Sequence, residues 1–202
     1  MSSPARPGQH GMGEQLVTVD QETQLCVEAF GDPAHPAILL IGGGTASMDW
    51  WDGEFCRRLA APGRFVIRFD HRDTGRSTTS PVGKPAYTGA DLTTDPVRVL
   101  DGLGIERAHL VGVSMGGGIA QDLAAHHADR VRTITLIATS AAGERLDQTP
   151  LPSPLPQVTA TFADPTPEPD WHDRAAVIDY LVEVQRPYAG ALGLDEPWVR
   201  RI

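Results

Sequence analysis

Short apolar runs recur along the first 140 residues and alternate with amphipathic or small-residue segments. Leu16–Val19 and Gln24–Phe30 read as the two strands of an opening hairpin, with Asp20–Thr23 as the turn. Gly31-Asp32-Pro33 and His35-Pro36 punctuate the exit. Ala37–Ile41 is apolar at every position, as expected of a strand covered on both faces of a parallel sheet, and it ends in Gly42-Gly43-Gly44. Trp51–Ala60 predicts a short helix, and Arg64–Phe69 a further buried strand ending in Asp70. Asp91–Leu103 predicts a helix, with Pro96 required in its first turn, the one place where a missing N–H costs nothing. Ala108–Val113 predicts a strand, Gly116–Ala128 a helix rich in small residues, and Thr133–Ala138 the next strand. Strands alternating with helices predict an α/β fold built on a mostly parallel sheet.

The pattern changes after Ser140. Gln148–Pro169 is rich in proline and has little periodicity, so it reads as a loop. Asp173–Gln185 predicts a helix with Asp173 at its start and Val177, Ile178, Leu181, Val182 and Val184 as apolar positions; another begins near Asp195. The expected organisation is a disordered leader over residues 1–13, an α/β core over 14–147 with six strands, and a proline-rich connection with a partial helical lid over 148–202.

Composition narrows the field. A chain of 202 residues has room for one sizeable core. A net charge of −9 and a pI near 5.1 disfavour a nucleic-acid partner, because no basic patch is present to meet phosphates. No apolar run approaches a membrane span. The polar N-terminus lacks the apolar centre of a signal peptide. Cys26 and Cys56 lie far apart in apolar-patterned segments, as expected of reduced core cysteines in a cytoplasmic protein.

The chemistry concentrates at Gly112-Val113-Ser114-Met115-Gly116, a Gly-x-Ser-x-Gly pattern between a predicted strand and a predicted helix. A serine on such a turn has its hydroxyl thrust out, and the flanking glycines remove side chains that would clash there. Ser114 is therefore the candidate nucleophile. The backbone N–H of Met115 begins the helix, where unpaired N–H groups face incoming negative charge. An ordinary glycine-rich turn is the alternative. Gly42–Gly44 does not have the spacing of a phosphate-binding loop.

Four segments together resemble the α/β-hydrolase superfamily, and more narrowly the actinobacterial esterases of the aclacinomycin methylesterase type. They are Phe30–Pro33, Ile41–Gly44, Phe69–Ser77 and Val111–Gly117. The third is a variant of the Asp-x-Arg-Gly-x-Gly-x-Ser loop of these hydrolases, with Asp73 where glycine is usual. The resemblance implies the α/β-hydrolase fold and a serine hydrolase acting on a small-molecule carboxylic ester without a cofactor or metal. It assigns the second oxyanion donor to Gly44, with Gly43 bending the loop, beside the N–H of Met115. It also implies a structural role for the loop after Asp70, held by a buried Asp–Arg pair of Asp70 and Arg72. Trp50 and Trp51 are expected beside the oxyanion loop, as core or pocket wall. Ser114 argues against dehalogenases and epoxide hydrolases, which carry Asp at this turn.

A serine needs a base. In the superfamily's chain order, an acid and a histidine follow the nucleophile. Only His126, His127 and His172 follow Ser114. His126 and His127 fall at the far end of the helix that starts at Ser114, which carries them about 1.5 Å per residue away. His172 falls in the lid. The chain is thus expected to lack the triad histidine and acid, with two more strands to follow in a complete hydrolase. The alternative is a non-catalytic, hydrolase-like binding domain.

Overall fold

A computed structural model of the chain describes residues 12–143 and 152–202. These belong to two compact units that meet between Arg145 and Leu146 in sequence. The first holds a six-stranded sheet in the order β1-β2-β4-β3-β5-β6. Its strands are β1 (Met12–Thr18), β2 (Gln24–Phe30), β3 (Ala37–Ile41), β4 (Phe65–Phe69), β5 (Ala108–Val113) and β6 (Val131–Ile137). β1 and β2 form the expected antiparallel hairpin, and β2 runs antiparallel to β4. The pairs β3–β4, β3–β5 and β5–β6 are parallel. The hairpin turn is built by Asp20, whose carboxylate accepts the N–H groups of Glu22 and Thr23 at 2.9 and 2.8 Å.

β3 justifies its unbroken apolar run. All five residues are buried. Ala37, Leu39 and Ile41 join one cluster with Phe65, Ile67, Phe69 and Leu110, while Ile38 and Leu40 join another with Phe30, Val66 and Cys56. The period of two along a strand sends successive side chains to opposite faces, so a strand with a core on each side must be apolar throughout. The α-helices of this unit among the described residues are α1 (Gly53–Ala60), α2 (Gly89–Gly102) and α3 (Met115–His126). Cys26 and Cys56 are both buried and free.

Several expectations need correction. Of the leader expected over 1–13, residues 1–11 lie outside the described residues, while Met12 and Gly13 open β1. α1 starts at Gly53 because Asp52 accepts the N–H groups of Glu54 and Phe55. α2 starts at Gly89, where Thr88 and Asp91 form a capping box. Pro96 therefore lies beyond the first turn and breaks the N–H ladder there. Its ring is buried together with Val99 and Leu100, and this packing offsets the missing bond.

The second unit contains α4 (Pro156–Ala163), α5 (Arg174–Gln185) and a short α6 (Glu196–Val199). α4 falls where a loop was expected. Pro156 stands at its N-terminus, where proline initiates rather than breaks a helix. Asp173 caps α5 through the N–H groups of Ala175 and Ala176, as its position predicted. Arg186 and Arg200 both pair with Glu196, tying α6 to the turn after α5. Val182 and Val199 are buried.

Candidate active site

Ser114 occupies the junction between β5 and α3 with φ 51° and ψ −115°, a conformation that non-glycine residues rarely adopt. Hydrogen bonds on both sides of the residue hold it there, among them one from the Gly118 N–H to its carbonyl at 3.2 Å. Its N–H donates to the Ile137 carbonyl at 3.0 Å. Its carbonyl accepts from the Gly117 N–H at 2.9 Å and from the Thr139 hydroxyl at 2.8 Å. The residue itself is exposed. Strain of this kind persists only where surrounding bonds over-determine it.

The two motif glycines clear different neighbours. A Cβ on Gly112 would lie 2.2 Å from the Gly116 carbonyl oxygen, across the turn itself. A Cβ on Gly116 would lie 2.3 Å from the Ile41 oxygen and 2.5 Å from the Gly42 oxygen. The second glycine thus lets α3 sit directly against the end of β3. That approach brings the triple-glycine loop to the serine. A Cβ on Gly43 would stand 3.7 Å from Ser114 Cβ, and one on Gly44 would stand 3.9 Å from Met115 Sδ. Ser114, Met115, Gly43 and Gly44, predicted from separate segments, converge on one place. The Met115 N–H is the first of α3 and has no carbonyl one turn behind it.

The loop after β4 braces this place from below. Asp70 is fully buried. Its carboxylate accepts the Met48 N–H at 2.7 Å and the Arg76 N–H at 2.8 Å. Gly75 makes room for it, since a Cβ there would meet the carboxyl at 2.3 Å. Asp73 sits at φ 60°, the left-handed region that glycine favours and that aspartate tolerates better than most residues.

The expected Asp70–Arg72 pair does not form. Arg72 instead makes a bidentate pair with Asp95 of α2, both bonds at 2.8 Å, and reaches Asp20 at 2.8 Å. Asp70 has its oxygens on the N–H groups of Met48 and Arg76, with the Arg76 guanidinium 3.8 Å away, whereas buried Asp95 takes Arg72 as its cation. Asp95 and Arg68 went unnoticed in the sequence. An aspartate on the buried face of an amphipathic helix and an arginine in an apolar strand were the signals. Arg68 donates to Glu28 at 2.8 Å and to the carbonyls of Met48 and Trp51 at 3.0 and 2.8 Å. Trp51 packs against the cluster around Leu40 and stacks on Phe55 at 6.0 Å, so it belongs to the core.

Among the described residues, no histidine ring is hydrogen-bonded to the Ser114 hydroxyl. His126 closes the far end of α3 and bonds back to Asp122, and His109 bonds to Thr133 on the sheet. His71 is buried and bonds to the Gly42 carbonyl. Burial pushes its imidazole below the usual histidine range, against the opposing pull of that carbonyl and of Asp95 and Asp70. The described residues contain no group of His, Cys, Asp and Glu side chains placed to hold a metal ion. None of their helices is long and apolar enough to cross a membrane.

Comparison with known proteins agrees with this architecture. The chain is 44% identical over 130 residues to rhodomycin D methylesterase DauP of Streptomyces sp. (strain C5), and 43% identical over 130 residues to rhodomycin D methylesterase DnrP of Streptomyces peucetius. Each match covers 64% of this chain and 43% of the relative, so the chain spans less than half the length of these curated relatives. Among solved structures, a thioesterase domain from the curacin biosynthetic pathway superposes with a TM-score of 0.66 at 23% identity, covering 94% of this chain and 66% of that one. At that identity the likeness concerns the fold. The model of the alpha/beta hydrolase fold family matches residues 36–175, more than half of the chain, and the chain belongs to that family.

Proposed function

We propose that this chain carries the nucleophile half of a serine hydrolase that cleaves carboxylic esters of small molecules. The single observation behind this reading is the convergence of the strained, exposed Ser114 with the Gly43-Gly44 loop and the start of α3. In this mechanism Ser114 Oγ attacks the ester carbonyl. The N–H groups of Met115 and Gly44 receive the oxygen as it gains negative charge. Such donors contribute on the order of 3 kcal/mol each, because they are fixed in place before charge develops. The carbonyl re-forms as the bond to the alkoxide breaks, and the alkoxide takes up the proton that Ser114 gave up and leaves as the alcohol. Water later releases the acyl group as the carboxylic acid and returns a proton to Ser114 Oγ. No cofactor enters these steps. In this reading the substrate is a moderately apolar ester acted on in the cytoplasm, and the printed names of the two rhodomycin D methylesterases support a methyl ester.

The general base is not among the described residues bonded to Ser114. A serine without its base retains only the stabilisation from oxyanion donors and binding, roughly 10³–10⁴ over water. The 202-residue chain is accordingly expected to hydrolyse p-nitrophenyl acetate slowly. The same missing bond favours the second reading, a hydrolase-like domain that binds without catalysis.

A fluorophosphonate probe separates them. The proposal expects slow covalent labelling, mapped by mass spectrometry to Ser114 and lost in Ser114→Ala. Equal labelling of the native chain and the Ser114→Ala variant would leave the binding reading standing.

A further inference from the structure

We infer that His71 is a positioning residue that fixes the oxyanion loop through its hydrogen bond to the Gly42 carbonyl. This rests on the hydrolase reading of Ser114 given above. The loop between β3 and the 3-10 turn Met48–Trp50 carries the predicted donor Gly44. Three glycines in a row leave such a loop with more freedom than any other sequence would, so something outside it must select one conformation. Two consecutive residues after β4 do so. At the far end, Asp70 accepts the Met48 N–H at 2.7 Å. At the near end, His71 Nε2 lies 3.2 Å from the Gly42 oxygen. A carbonyl can only accept, so Nε2 carries the proton and Nδ1 the lone pair.

The ring has little choice of position. It is 2% exposed and sits edge-on to Phe69, with centroids 4.9 Å apart and planes at 68°. Nδ1 is buried with no hydrogen-bond partner among the described residues, so Gly42 is the ring's only bonded contact. The carbonyl it holds is the one that a Cβ on Gly116 would strike at 2.5 Å. It is thus confined between the His71 ring and the first turn of α3. A peptide unit is planar and trans, so fixing the Gly42 carbonyl also fixes the direction of the Gly43 N–H on its far side. The next residue along is Gly44. His71 therefore acts on the reaction without touching substrate: it sets the direction of the peptide that leads into the donor.

The test uses phenylboronic acid and the whole chain. Ser114 Oγ would bond to boron while its proton passes to water, leaving a tetrahedral boronate with one oxygen in the oxyanion position. Dissociation constants are compared for the native chain and for His71→Leu, His71→Gln and Ser114→Ala. His71→Leu, which cannot donate, is expected to bind the boronate roughly tenfold more weakly, and His71→Gln, which can, within about threefold of native. Native affinity in a folded His71→Leu chain would overturn the inference. A merely structural role would lower thermal stability in both variants without this split.

Nitrogen-detected NMR of the native ring needs no variant. It should report the Nε2–H tautomer in slow exchange with water, and the Nδ1–H tautomer would overturn the inference even if His71→Leu fails to fold. Equal boronate affinity of the native chain and Ser114→Ala would instead count against the hydrolase reading, while the tautomer still decides whether His71 holds the loop.

Discussion

β3 and β6 flank the same strand, β5, both in parallel register, yet they live in different environments. Every β3 residue is buried, whereas β6 is exposed from Arg132 to Ile137, with Leu136 at 43% and Ile137 at 42%. Both strands are rich in isoleucine and leucine. The difference is position. β3 is central, with a packed cluster on each face, while β6 pairs with β5 alone among the described residues. The candidate site forms at the end of the buried strand, where the backbone is fixed by packing on both sides. An apolar strand is therefore a commitment to burial only when neighbours on both faces exist to fulfil it.

The largest test of this contrast is a pair of truncations. Leu39→Ala is expected to destabilise by about 2–5 kcal/mol, because it empties a fully packed position. Leu136→Ala is expected to cost less than about 1 kcal/mol, since its side chain already meets water. Urea unfolding of both variants measures the gap. Equal losses would mean that β6 is covered in solution.

A second effect comes from His71, which bonds to Gly42 at the end of β3, and it adds to one in the same direction from His109 on β5. Burial holds His71 below its ordinary value of 6.5, so the unfolded chain binds a proton there before the folded chain does. Stability is therefore complete above about pH 6.5 and falls as pH drops from that value toward the folded pKa, by at most about 1.4 kcal/mol per unit. His71→Gln should flatten this part of the stability profile, as followed by denaturant titration at successive pH values. An unchanged slope would place the titrating group elsewhere.

The smallest expected effect lies on β6. An exposed strand edge with apolar side chains is a template for another chain. Leu136→Lys should leave stability within about 0.5 kcal/mol while lowering concentration-dependent association. Light scattering over a protein dilution series reads it, and unchanged association would mean that the edge is not the sticky surface.

The fold could be read from local features because the relevant forces are local. The continuous apolar run of β3, the turn residues after β1, and the Gly-x-Ser-x-Gly turn each force one backbone solution on their own stretch. Thr88 and Asp91, by contrast, form a capping box that a reading of apolar periodicity passed over, so α2 begins earlier than expected and carries Pro96 inside it. α4 was hidden by the prolines around it.

The sequence by itself determined that strands alternate with helices, that Ser114 stands on a tight turn, and that a glycine loop follows β3. Tertiary structure alone decided which distant groups meet. Arg72 could have paired with Asp70, two residues away, but the fold brings Asp95 to it from α2. His71 is one residue of a loop motif until the sheet order sets β4 beside β3, and its ring against Gly42. Burial decides these pairings. A buried charge or donor takes the partner that packing leaves within reach, and that choice depends on contacts between segments that no local pattern encodes.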